Sequence, residues 1–232
     1  MPTGNFGDIL AGYYAKRMGL PVRRLICASN RNNVLADFFA TGVYDDRRPF
    51  YRSMSCSIDI LISSNLERLL FELAGRDAAC VRAWMRSLNE TGSYAVGAAQ
   101  REALAGVFAA GWCSEEDTLA AIRRVFERHG YLMDPHTAVA AGALRKYRAA
   151  TGDDRVTVVA STASPYKFAP AVCEALGMGT INDAYACIDA LAEKTGLPVP
   201  PQLGELRSKP DRFTKVIDRE SIADAVRAFL SE

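Results

Sequence analysis

Apolar positions recur at helical spacing over residues 8–18, where Ile9, Tyr13, Tyr14 and Met18 fall on one face and Gly19 ends the pattern. Pro21 leads into Val22-Arg23-Arg24-Leu25-Ile26-Cys27-Ala28, a strand-like run that stops at Ser29-Asn30. Residues 33–41 return to a helical pattern closed by Gly42, whereas 44–57 mix charge and aromatics without a period and read mainly as loop. Helical patterns follow over 65–73, 77–89, 100–110 and 115–129. Ser114-Glu115-Glu116-Asp117 gives the last of these a cap and first-turn carboxylates that suit the helix dipole. Asp134-Pro135-His136-Thr137 opens another helix with an early proline, running to about residue 150. Residues 156–160 carry the strongest strand signal, a mostly β-branched run between Asp153-Asp154 and Ser161-Thr162. Helices over 169–176 and 182–194, the stiff connector Leu197-Pro198-Val199-Pro200-Pro201, a short strand near 213–217 and a helix over 219–230 complete the chain. Strands alternating with helices predict an α/β fold with a helix-rich, partial parallel sheet.

Composition narrows the function classes. The 232 residues carry 28 basic and 27 acidic side chains, a net charge of +1, with no basic stripe of the kind that binds nucleic acid. The apolar runs are too short to cross a bilayer. Met1-Pro2-Thr3-Gly4-Asn5 shows no leader pattern, so the expected location is the cytoplasm. Cys27, Cys56, Cys80, Cys113, Cys173 and Cys187 are scattered without a C-x-x-C pair, and His129 and His136 are the two histidines. Neither a disulfide framework nor a zinc site is expected, and the thiols read as packed side chains in a reducing compartment.

Two segments carry candidate chemistry. Thr3-Gly4-Asn5-Phe6-Gly7-Asp8 is a polar, glycine-containing loop directly before a helix. Its glycines admit a close ligand, and the unpaired first N–H groups of the helix, with its dipole, suit a phosphate. Taken alone, such a loop is more often an ordinary capped turn. The second segment, Ala160-Ser161-Thr162-Ala163-Ser164-Pro165-Tyr166-Lys167-Phe168, follows the strongest strand signal, where ligands of open parallel sheets sit. Its hydroxyls are either donors to a ligand or a turn capping the next helix. Arg68 and Asn65 are candidates for a phosphate group, with a surface arginine on an amphipathic helix as the alternative. His136, at a helix start, reads as a cap or packed residue ahead of a general base.

Four ordered blocks then resemble the threonine synthase family: Pro2-Thr3-Gly4-Asn5-Phe6-Gly7-Asp8, Ile62-Ser63-Ser64-Asn65-Leu66-Glu67-Arg68-Leu69-Leu70, Asp134-Pro135-His136-Thr137-Ala138-Val139-Ala140 and Ser161-Thr162-Ala163-Ser164-Pro165-Tyr166-Lys167-Phe168. The match runs from the first residues to about Gly177, with a weaker tail. The resemblance implies the carboxyl-terminal part of the type II pyridoxal-phosphate (PLP) fold, and conversion of O-phospho-L-homoserine and water to L-threonine and phosphate. It places Gly4, Asn5, Phe6 and Asp8 at cofactor-binding positions and Thr162 opposite the pyridine nitrogen. Residues 1–232 would then form part of the PLP-binding catalytic domain, with a phosphate loop and α/β unit over 1–50, a helical region over 51–130 and a second α/β unit with terminal helices over 131–232.

The family fixes its cofactor on a lysine that precedes the phosphate loop. None of Lys16, Lys146, Lys167, Lys194, Lys209 and Lys215 lies in such a context, so no catalytic residue is assigned within this sequence. The expectation is therefore a truncated polypeptide or one half of a split gene, inactive alone, with the missing amino-terminal half as its partner. The alternatives are an interaction module of a split enzyme and a non-catalytic phosphate-binding α/β protein. An unpaired sheet edge also predicts self-association, for example as a homodimer.

Overall fold

Leu25–Ser29 forms strand β1 of a computed structural model, which describes residues 1–179 and 181–231. The strand alternates between two cores. Leu25 and Cys27 pack with Ile9, Leu10, Val34 and Phe38 on one face, while Ala28 packs with Val139, Ala140 and Ala143 on the other. A strand buried on both sides is what a parallel sheet requires. Helix α1 (Gly7–Arg17) precedes β1 and α2 (Val34–Thr41) follows it. After the short strand β2 (Val43–Asp45) come α3 (Leu66–Leu73), α4 (Ala78–Thr91), β3 (Ser93–Ala95) and α5 (Ala98–Val107). Strand β4 (Phe108–Trp112) pairs parallel with β1 in the register Leu25↔Phe108 to Ser29↔Trp112. Helices α6 (Glu115–His129) and α7 (Pro135–Thr151) follow, and α7 packs on both strands of this sheet. Helices α8 (Ala169–Ala175) and α9 (Ala184–Thr195) complete a unit spanning Met1–Pro198.

Residues Val199–Glu232 form a second unit, with the short helix α10 (Pro201–Gly204), 3-10 turns at Glu205–Ser208 and Arg219–Ser221, and α11 (Ile222–Ser231).

The structure corrects the sequence reading at four places. Residues 156–160 belong to no strand among the described residues: Val156 and Val158 are 99% and 89% exposed. A β-branched run becomes a strand only with a ladder partner, and none is beside it. The run 213–217 also forms no strand, with Phe213 and Val216 exposed. The helix expected over 100–110 stops at Val107, and Phe108–Trp112 is β4 instead. Its Ala109-Ala110-Gly111 centre has poor strand propensity, so pairing with β1 and burial of Phe108 decide its conformation. The stretch read as loop after residue 43 holds β2, which pairs antiparallel with β3 and stacks Tyr44 on Tyr94 at 5.3 Å.

Cys27, Cys113, Cys173 and Cys187 are buried and Cys80 half-buried, as the packed-cysteine reading expects, whereas Cys56 is exposed. Burial pushes the Cys27 thiol up to about 12 and the Cys113 thiol up to about 11, so neither is a nucleophile near neutral pH. No helix among the described residues is long and apolar enough to cross a membrane.

Candidate functional site at the loop before α1

Residues 1–3 run beside β1: Met1 O accepts from Ala28 N–H at 3.0 Å, and Thr3 N–H donates to Ala28 O at 2.8 Å. The chain then leaves the carboxyl end of that ladder and turns into α1 through Gly4, Asn5 and Phe6. Phe6 sits at the helix N-cap in the left-handed region, φ 64°, a conformation that costs a non-glycine residue about 1–2 kcal/mol. Its ring is buried against Phe39 and Phe108, with centroids 6.0 Å away from each. That burial offsets the backbone cost and turns the loop amides outward. Gly4 has a second constraint: a Cβ there would stand 2.7 Å from Ile58 Cα, so no larger residue fits without moving backbone.

Among the described residues, the N–H groups of Asn5, Phe6, Gly7 and Asp8 have no hydrogen-bond acceptor. They stand at the positive end of α1. The side of the loop away from these amides is fully pinned. Ser63 Oγ donates to Gly4 O at 2.8 Å, Asn65 Nδ2 donates to Asn5 O at 2.8 Å, and Asn5 Oδ1 accepts from Ser64 N–H at 2.8 Å and Ser64 Oγ at 2.6 Å.

A polar knot holds the piece of chain beneath the loop. The Asp59 carboxylate accepts from Asn30 Nδ2 at 2.7 Å, Asn32 Nδ2 at 3.0 Å, Ser53 N–H at 2.8 Å and Ser53 Oγ at 2.6 Å. Asn30 and Asn32 extend from the end of β1 and are buried. The knot fixes the 3-10 turn Cys56–Ile58. That turn carries Ile58 against Gly4 and aims the Ser57 N–H at His136 Nε2, 3.1 Å away.

His136 is buried, and both ring nitrogens are engaged. Nε2 accepts from Ser57, so Nδ1 carries the hydrogen and donates to Asp134 Oδ1 at 2.9 Å. Asp134, fully buried, caps α7 through the His136 and Thr137 N–H groups and also receives the Thr137 hydroxyl. Burial alone would push its carboxyl up, but the His136 and Thr137 hydrogen bonds outweigh that and hold it below the usual carboxylate range.

These elements enclose a cleft of about 350 Å³ lined by Pro2 to Asp8, Ser57, Ile58, Asn65, His136, Thr162, Ala163 and Lys167. Gly4, Asn5, Phe6, Asp8 and Thr162 thus line one space. Asn65 lines this cleft and also a neighbouring one of about 730 Å³ that contains Arg68, Tyr14 and Arg82. Arg68 therefore lies one cavity away from the loop. Lys167, Ser57 and Ile58 were not among the expected site residues. Lys167 is the one ammonium group among the described lining residues, and its place among hydroxyls after a strand-like run was the available signal. Nothing local marked Ile58, whose contact with Gly4 spans more than fifty residues.

An α/β unit with a small parallel sheet, superposing along its length on solved threonine synthases, places the fold in the type II PLP-enzyme class. Within that class the family is threonine synthase, and the chain carries the family's carboxyl-terminal portion. A family profile described as "Threonine synthase, C-terminal" matches residues 137–229. The chain is similar to the threonine synthase of Saccharomyces cerevisiae, 35% identical over 247 residues, which cover the whole chain and 46% of that protein. It is 46% identical over 186 residues to human threonine synthase-like 1, covering 79% of the chain and 24% of that protein. A PLP-bound threonine synthase from Brucella melitensis superposes with TM-score 0.81 and 37% identity, covering 98% of the chain and 45% of that structure. The chain thus spans between a quarter and just under half the length of these relatives.

Proposed function

We propose that this chain supplies the phosphate cradle and the ring-nitrogen partner of a PLP site that converts O-phospho-L-homoserine and water to L-threonine and phosphate, together with an amino-terminal portion that brings the cofactor lysine. The observation that carries the reading is the set of four unpaired amides, Asn5 to Asp8, held at the α1 terminus by Gly4 against Ile58. When bound, PLP supplies the electron sink that stabilises negative charge on the substrate carbons. The residues present fit that group. The loop amides hold its phosphate through backbone groups, so Gly4, Asn5, Phe6 and Asp8 act without their side chains approaching the anion. The Asp8 carboxylate would repel it, and the Phe6 ring faces the core. Asn5 Nδ2, free of protein acceptors among the described residues, remains as a donor toward the ring.

Thr162 presents a neutral hydroxyl to the ring nitrogen, and a neutral partner moderates the sink more than a carboxylate would. His136 is excluded as a free base by its two hydrogen bonds; it positions the Ser57 turn. Asn65 and Arg68, on adjoining cavities, would hold the substrate phosphate.

The test is phosphate release from O-phospho-L-homoserine by this chain mixed with the amino-terminal portion of the yeast enzyme. Release only in the mixture, reduced at least tenfold by Thr162→Val, is expected. Release by the chain alone, or a rate unchanged by Thr162→Val, contradicts the reading. A second reading, phosphate binding without turnover, draws on the higher identity to human threonine synthase-like 1. It predicts ligand binding in the mixture with no phosphate release.

A further inference from the structure

Lys167 lines the cleft but has no part in the chemistry proposed so far. It sits in the 3-10 turn Pro165–Phe168, where its backbone N–H donates to Ser164 O at 3.1 Å. Both neighbours pin that turn. Tyr166 is buried and donates to Leu197 O at 2.6 Å, and the Phe168 ring meets the buried His136 ring edge-on at 4.7 Å. The backbone of Lys167 is thereby fixed, while its side chain stays exposed. Among the described residues its ammonium makes no hydrogen bond or ion pair, and it stands 5.7 Å from the Phe168 ring centroid. The charges in the cleft single it out. The loop amides are neutral donors, Asp8 brings a carboxylate, and His136 is neutral because its Nε2 accepts from Ser57. Lys167 is the one cation among the described lining residues. A phosphate dianion held by the amides alone would face the Asp8 carboxylate without a counter-charge.

We propose that Lys167 is a cofactor-binding residue: its ammonium leaves the Phe168 face and pairs with the PLP phosphate held by the amides of residues 5–8. The contact is an ionic hydrogen bond, with Nζ donating and a phosphate oxygen accepting, and no bond forms to a cofactor carbon. A lysine suits the task, because a compact ammonium with three donors rides on a flexible stem. The covalent structure of PLP agrees with the placement. One ring carbon separates the ring nitrogen from the carbon that bears the phosphate arm, whereas the aldehyde lies across the ring from the nitrogen. Thr162 and Lys167, five residues apart on one wall, can therefore serve the nitrogen and the phosphate together and leave the aldehyde to another group. One anion would then bridge the pinned loop and the opposite wall, drawing Thr162 toward its place. The inference rests on the PLP reading of the cleft.

The experiment is a calorimetric titration of the full chain and of Lys167→Met with PLP, with pyridoxal and with O-phospho-L-homoserine. Methionine keeps an unbranched stem without the charge, and at an exposed position it should leave the circular dichroism and melting temperature unchanged. Lys167→Met should weaken PLP binding about tenfold, the scale of one charge-assisted hydrogen bond, and leave pyridoxal binding as it was. Lys167→Arg should restore most of the PLP affinity, and added salt should weaken PLP binding more steeply in the parent than in Lys167→Met. A methionine variant that keeps the parent's preference for PLP over pyridoxal would overturn the inference and leave the PLP reading standing. Equal weakening for PLP and pyridoxal would overturn it by reducing Lys167 to a support of the turn. A loss confined to O-phospho-L-homoserine would overturn it by assigning the ammonium to the substrate phosphate. A parent chain with no preference for PLP over pyridoxal would sink the PLP reading, and the inference with it.

Discussion

The two walls of the cleft are built by different means. The loop 3–8 is held from behind by Ser63, Ser64 and Asn65, from below by Ile58, and by a buried aromatic anchor. The segment 156–162 has no ladder partner, and Thr162 is fixed mainly through its neighbours: Ser161 Oγ lies 3.2 Å from Thr137 Oγ1, and the buried Tyr166 donates to Leu197 O at 2.6 Å. On the proposed function, phosphate recognition draws on the preorganised wall, and the proposed ring-nitrogen partner Thr162 stands on the wall that has no ladder partner. Local exchange should show the same division, since a segment with few buried contacts opens at low cost.

The largest expected effect comes from the knot under the preorganised wall. Asp59→Ala removes the one acceptor of the Ser53 N–H among the described residues, and one of several acceptors of Asn30 and Asn32, which keep Ser55 Oγ and Tyr51 O. It should cost about 3 kcal/mol, because a lost charged partner leaves the desolvation penalty of the groups that remain. Chemical denaturation reads the cost, and a loss below about 1 kcal/mol would show that the knot does not hold the turn. Gly4→Ala forces Ile58 and the loop apart. Overpacking of this kind costs about 1–3 kcal/mol, and the affinity for PLP should fall at least tenfold in a titration. An alanine variant that binds as well as the parent would remove the close approach from the account.

Acid should act through Asp134. Its folded-state pKa lies below the unfolded value, so its stabilisation is fully present above about pH 4 and is lost as pH falls through the folded value. Asp134→Asn should remove about 1–2 kcal/mol near neutrality and flatten this part of the acid limb of a stability-against-pH curve; an unchanged limb contradicts the assignment. The smallest effect belongs to the other wall. Thr162→Val should shift the stability of the isolated chain by less than about 0.5 kcal/mol, as expected for an exposed side chain. A larger loss would mean that Thr162 supports the fold.

The helical pattern of the chain was legible because caps mark it: Asp77, Ser114, Asp134 and Asp183 all receive backbone N–H groups of the helices they precede. The turn into α1 was legible for a local reason as well, since glycine before a helix marks a turn. Strands were harder to read. The run 156–160 has strand chemistry without a neighbour, and Phe108–Trp112 has a neighbour without strand chemistry, so pairing overrode propensity in both directions. Ile58 and Asp59 reach the site through contacts distant in sequence, which no local spacing encodes.

The central claim is that this chain recognises the phosphate of PLP without holding the cofactor covalently. Calorimetric titration of the isolated chain with PLP and with pyridoxal, which lacks the phosphate, tests it most directly when followed by borohydride reduction and peptide mass mapping. PLP should bind at least tenfold more tightly than pyridoxal, and no lysine should carry a stoichiometric pyridoxyl group. Equal affinity for the two compounds, or one lysine such as Lys167 labelled in most molecules, would contradict the account.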